Sequence, residues 1–150
     1  MIKILFVCHG NICRSPMAEF VMKNLVQKAG LESRFHIESA ATSTEEIGCP
    51  VYPPARRKLA EHGIDCSGKT ARRLERRDYD RFDLLIGMDR ANLRNMQRIC
   101  GGSGKICLLL KFAGRPDEEV ADPWYTGDFE TTWRDVLAGC QGLLASLQNA

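Results

Sequence analysis

Apolar residues occur along this chain in two alternating patterns, short unbroken runs and longer stretches spaced three and four apart. Met1 to Val7 (MIKILFV) is a β-branched, nearly continuous apolar run, as a strand covered on both faces requires. After a glycine-containing loop, Ser15-Pro16 supplies an N-cap and a first-turn proline. Met17, Phe20, Val21 and Leu25 then recur at helical spacing as far as Gly30. Phe35 to Ser39 reads as a second strand, and the proline-rich stretch Pro50 to Pro54 leads into a helix over Ala55 to His62 that Gly63 stops. Asp83 to Met88 is a third buried strand, Asp89 caps a helix running to about Ile99, and Lys105 to Leu110 is a fourth strand. The last helix is the most regular. Phe129, Trp133, Val136, Leu137, Cys140, Leu143, Leu144 and Leu147 share one face after an Asp128 cap.

Strands alternating with helices predict right-handed βαβ crossovers and an α/β fold. The expected architecture is a single three-layer domain over residues 1–150, a four-stranded, twisted parallel sheet with helices on both faces. In such sheets ligands bind beyond the carboxyl ends of the strands, at a topological switch point. The 150 residues, 44% of them hydrophobic, suit one domain with a real core. A formal net charge of only +2 gives no global reason to expect a nucleic-acid partner. The local clusters Arg56-Arg57-Lys58 and Arg72, Arg73, Arg76 and Arg77 read as solvated faces. No run approaches the ~20 apolar residues of a membrane span, and Ile4 to Val7 is too short for the apolar part of a signal peptide, so a cytoplasmic protein is expected. The seven cysteines are odd in number and form no CxxC pair, which points to reduced thiols rather than a disulfide framework or a zinc site.

The segment Cys8-His9-Gly10-Asn11-Ile12-Cys13-Arg14-Ser15 joins the first strand to the first helix. Successive backbone N–H groups there can curl into a concave nest at a positive helix end, a shape that binds a tetrahedral oxyanion. Gly10 and Asn11 tolerate the left-handed backbone angles that such wrapping needs. Arg14 can return its guanidinium to the rim and grip two phosphate oxygens. A cysteine beside a helix N-terminus and an arginine is favoured as thiolate, and Ser15 can donate a hydrogen bond to the sulfur. The plain alternative for Cys8 is an inert core thiol.

The string Val7 to Glu19, VCHGNICRSPMAE, resembles the signature of low-molecular-weight protein-tyrosine phosphatases. Ser39-Ala40-Ala41-Thr42, Met88-Asp89 and Asp122-Pro123-Trp124-Tyr125 resemble that family's other landmarks in order and spacing, so the resemblance covers the chain. It implies the phosphotyrosine protein phosphatase I-like fold and metal-independent phosphomonoester hydrolysis without a cofactor. Cys8 would be the nucleophile, Arg14 the phosphate clamp and Asp122 the general acid, with a phosphocysteine intermediate. Pro123 restrains Asp122 to an extended conformation and gives its carboxyl a defined direction. The implied substrate is a phosphotyrosine protein or a small aryl phosphate, the product inorganic phosphate, and the state a monomer or weak dimer.

The resemblance also implies that Asn11 pins the loop and Ser39 hydrogen-bonds to it. Cys13 would pair reversibly with Cys8 under oxidation, unless it is only a small filler. Trp124 and Tyr125 would form one wall of an aromatic cleft. Where many relatives place an aromatic residue on the opposite wall, this chain has Thr44-Glu45-Glu46, and a carboxylate at Glu45 neither stacks on phosphotyrosine nor welcomes phosphate. His9 stands where an apolar residue is usual. Gly68-Lys69-Thr70 lacks a histidine that often supports the loop. Two rivals remain open: a thiol-coupled arsenate reductase working through Cys100 and Cys107, and a non-catalytic phosphopeptide binder.

Overall fold

The computed structural model describes residues 1–148. The chain runs through β1 (Ile2–Cys8), α1 (Arg14–Lys28), β2 (Phe35–Ala41), α2 (Pro53–Glu61), α3 (Asp78–Arg81), β3 (Leu84–Gly87), α4 (Arg90–Cys100), β4 (Ile106–Leu108), α5 (Pro123–Thr126) and α6 (Phe129–Gln148). Side chains alternate across a pleated strand, and β1 uses both sides. Ile4, Phe6 and Cys8 enter a core shared with α1, α2 and α6, whereas Leu5 and Val7 enter a second core with Phe82, Met96 and Cys100. That double burial accounts for the unbroken apolar run. Ile4, Leu5, Phe6 and Val7 are all fully buried, and at roughly 1.5–3 kcal/mol each these four residues rival the whole net stability of an ordinary domain.

All four strands are parallel, in the order β2-β1-β3-β4. The chain leaves β1 toward β2 on one side and returns to β3 on the other, so the strand order reverses beside the end of β1. Cys8 closes β1 there, and Met88-Asp89 follows β3 on the neighbouring strand. The backbone N–H of Val120 donates to the carbonyl of Met88 at 2.9 Å, drawing the Asp122 segment to the same edge.

The expected fold class is the one observed. Asp89 caps α4 as anticipated, in a reciprocal box with Asn92, and Asp128 accepts from the N–H of Thr131 at the start of α6. The ladder of β4 ends at Leu108, and Leu109–Ala113 turns into a 3₁₀ helix, shortening the strand expected over Lys105 to Leu110. That turn packs against α6 at two glycines. A β-carbon on Gly139 would lie 2.5 Å from Leu109 Cγ, and one on Gly142 would lie 1.8 Å from the carbonyl oxygen of Phe112. Ser15 is not the N-cap of α1: the helix begins at Arg14, and Cys13 precedes it without a side-chain cap. The hydroxyl of Ser15 is engaged elsewhere.

Candidate active site

The loop between β1 and α1 is fastened by its carbonyl groups. Cys8 O accepts from the N–H of Thr42 at 3.0 Å, His9 O from Ser43 at 3.1 Å and Ile12 O from Tyr52 at 2.9 Å. A loop whose carbonyls are turned outward to such donors presents its N–H groups to the hollow side, as an anion nest requires. Asn11 alone among the described non-glycine residues has positive φ, at 58°. Its buried side chain compensates. Asn11 Nδ2 donates to Ser15 Oγ at 2.7 Å and to Ser39 Oγ at 2.9 Å, and Asn11 Oδ1 accepts from the N–H of Arg72 at 3.2 Å. Ser15 Oγ lies 3.1 Å from Cys8 Sγ.

This network continues inward to a group that sequence reasoning missed. Ser39 Oγ donates to Glu19 Oε1 at 2.5 Å, and Lys69 Nζ reaches the same carboxylate at 3.3 Å and Ser39 O at 2.9 Å. Lys69 thus supports the loop from the segment that lacks the histidine. Burial lowers its pKa from the usual value, against the pull of Glu19. Glu19 offered one signal: a single acid on the otherwise buried face of α1.

Arg14 is almost wholly buried. Its Nη1 donates to Asp89 Oδ2 at 2.8 Å and to Val120 O at 2.9 Å, and its Nη2 lies 3.4 Å from Asp122 Oδ2. Burial opposes the charge, but Cys8, Asp89 and Asp122 outweigh it and raise the pKa further. Asp122 is extended, with φ −79° and ψ 112°, as expected for a residue before proline. Its Oδ1 accepts from the N–H of Trp124 at 3.1 Å, so the carboxyl caps α5 with one oxygen and faces Arg14 with the other.

Cys8, His9, Gly10, Ile12, Cys13, Arg14, Glu45, Glu46, Asp122, Trp124 and Tyr125 line one cleft of about 110 Å³. The structure brings these expected site residues together, while Asn11, Ser15 and Ser39 lie behind the loop. Tyr52, which the sequence did not single out, braces the aromatic wall: its ring centroid lies 4.8 Å from that of Trp124. His9 Nε2 meets Glu45 Oε2 at 3.0 Å across the opposite rim. The Cys13 thiol is pushed up to about 12, by burial first and then by Cys8 and Asp122. Neither Cys100 nor Cys107 lines this cleft. Cys100 is buried in the core that excludes Cys8, and Cys107 packs against the other one, so the sheet separates the two thiols that a reductase relay would need.

The sequence profile of the family described as low molecular weight phosphotyrosine protein phosphatase matches residues 3–150. The chain is 40% identical to the low molecular weight protein-tyrosine-phosphatase YfkJ of Bacillus subtilis, over 99% of this chain and 97% of that protein. The crystal structure of YfkJ superposes with a TM-score of 0.96 at 39% identity, covering 99% of this chain and 96% of that one. A Drosophila arginine phosphatase structure superposes with a TM-score of 0.90 at 30% identity, covering 97% and 98%. A match of this extent, on a chain whose β1–α1 loop already carries the expected hydrogen-bond network, makes the protein a member of the low-molecular-weight phosphotyrosine protein phosphatase family.

Proposed function

We propose that this phosphatase works through Cys8, Arg14 and Asp122. The observation that carries the assignment is the convergence of the Cys8 sulfur, the twice-paired Arg14 guanidinium and the Asp122 carboxyl on one cleft. Cys8 Sγ attacks phosphorus in line, forming the S–P bond as the P–O bond to the leaving group breaks, and Asp122 gives its proton to the departing oxygen. Arg14 and the loop N–H groups hold the equatorial oxygens, where charge develops. Water then attacks phosphorus, its proton passes to Asp122, the S–P bond breaks, and inorganic phosphate leaves. Ser15 stabilises the sulfur in both steps.

The substrate is a phosphotyrosine protein or small aryl phosphate, with Trp124 and Tyr125 offering the ring a wall. Glu45 and Glu46 favour a second substrate, because carboxylates accept N–H bonds from a phosphorylated guanidinium. Phosphoarginine, on which the Drosophila relative acts by its name, is therefore the comparison substrate. Free thiols at all seven cysteines support work in the reducing cytoplasm. Under peroxide, Cys8 becomes a sulfenic acid. The Cys13 sulfur then displaces water from it to give a reversible disulfide.

The test is p-nitrophenyl phosphate hydrolysis in EDTA by wild type, Cys8→Ser and Asp122→Ala. Turnover that persists in EDTA, is lost in Cys8→Ser and falls about 10²–10⁴-fold in Asp122→Ala is expected. A folded, reduced wild type without turnover would overturn the assignment.

A further inference from the structure

A second hollow, of about 340 Å³, opens beside the catalytic cleft and shares His9 and Glu45 with it. Thr42, Arg73, Asn95 and Arg98 form its remaining polar lining, with Ser43 and Thr44 on the loop between. Its two cations stand on fixed backbone. Arg73 belongs to a segment paired to the end of β2: Ala41 N–H donates to Arg72 O at 2.7 Å and Leu74 N–H to Ala41 O at 2.8 Å. Arg98 lies on α4, where its Nη2 donates to Asn95 Oδ1 at 3.2 Å. Among the described residues neither arginine has a carboxylate within salt-bridge distance, unlike Arg14, Arg72, Arg77, Arg81, Arg90, Arg115 and Arg134.

The third observation is an orphan. Thr42 is only 5% exposed, and its hydroxyl is the one buried side-chain polar atom without a hydrogen-bond partner among the described residues. A stranded buried hydroxyl is costly, and proteins rarely leave one without a purpose or a bound partner. Its backbone N–H donates to Cys8 O at 3.0 Å, which places Thr42 beside the end of β1.

Two arginines without carboxylate partners, one of them braced by Asn95, share one concave wall with Thr42 and form a receptor for an anion. We propose that this hollow is a subsite for a second acidic group on the phosphoprotein substrate, a carboxylate or phosphate beside the phosphorylated residue. The substrate would enter the catalytic cleft with its phosphate and pass over the His9–Glu45 rim. At that crossing His9 Nε2 meets Glu45 Oε2 at 3.0 Å. The inference rests on the phosphatase reading above, and a small aryl phosphate, which reaches only the first cleft, separates the two.

The experiment compares two phosphotyrosine peptides at fixed ionic strength, one with glutamate on both sides of the phosphotyrosine and one with glutamine. Wild type is expected to favour the glutamate peptide in kcat/KM by roughly tenfold. Arg73→Gln with Arg98→Gln together should bring the ratio to about one while p-nitrophenyl phosphate turnover stays at the wild-type level. The same ratio, read as Kd in the Cys8→Ser background, does not depend on turnover. Equal use of both peptides by wild type, or a preference that survives the double variant, would overturn the proposal. So would inorganic phosphate that departs from simple competition against p-nitrophenyl phosphate in wild type alone, since that outcome assigns the hollow to a free anion.

Discussion

Replacing Asn11 by alanine removes three hydrogen bonds from behind the oxyanion loop, those to Ser15, Ser39 and the Arg72 N–H. At about 1 kcal/mol each, the loss is roughly 3 kcal/mol. Alanine at φ 58° adds about 1 kcal/mol of left-handed strain, for a total near 4 kcal/mol. In a chain of this length each kcal/mol moves Tm by about 2–4 °C, so Asn11→Ala should melt roughly 8–16 °C below wild type. Asn11→Gly loses the same bonds without the strain and should sit about 1 kcal/mol above Asn11→Ala. Both variants release Ser15 from one anchor, so kcat for p-nitrophenyl phosphate should fall in each, and by similar factors. Urea unfolding and steady-state kinetics on the three proteins read all of this. An Asn11→Ala protein that melts within 2 °C of wild type, or one that matches Asn11→Gly in stability, would refute the reasoning.

Asp89→Asn keeps an oxygen for the cap of α4 but takes one of two carboxylates from Arg14. Because Asp122 and Val120 O remain, kcat/KM should drop by about tenfold with the fold retained, and unchanged kinetics would argue that Asp122 alone orients the clamp. Gly142→Ala places a methyl on the Phe112 carbonyl and should cost more than about 3 kcal/mol, measured by urea unfolding; a neutral result would mean that α6 can shift freely. Burial raises the thiols of Cys13, Cys100, Cys107 and Cys140 above their ordinary value of 9.0. The unfolded chain therefore ionises first, and stability is lost as pH rises from about 9 toward 12. Cys13 and Cys140 each account for about 1.4 kcal/mol per pH unit in that window. Lys69, lowered from 10.5, works in the opposite direction as a single group. The unfolding midpoint should fall between pH 8 and pH 10, and a flat or rising midpoint would contradict the burial of these thiols.

What the sequence made legible is what short stretches of chain decide by themselves. The apolar run of β1, the left-handed turn at Asn11, the Asp89 cap and the extended Asp122 before Pro123 are local matters, and each stands in the structure as expected, whereas Gly10 does not adopt the left-handed angles expected of it. Even the local signal misled at Ser15, where Ser-Pro resembles a cap although α1 starts one residue earlier and the hydroxyl turns toward Cys8. The support of the site was not legible, because it depends on which segments the sheet brings together. Asp89 reaches Arg14 across 75 residues, Asn11 accepts from Arg72 across 61, and Glu19 meets Lys69 only because α1 and the segment after α2 both pack beside Ser39.

The same distinction explains the division of labour within the site. The residues proposed to hold phosphate lie on one continuous loop, since a nest of successive N–H groups can be made only from neighbouring residues. Residues that hold the loop in its strained shape come from β2, α1 and the Lys69–Arg72 segment, since a left-handed Asn11 persists only where independent elements over-determine it. Lys69 takes part in that support with Glu19 as the buried partner that offsets the cost of its charge. The rim, carrying His9, Glu45 and Glu46, has no such buried support: His9 and Glu45 meet at 3.0 Å with 51% and 68% of their side chains exposed.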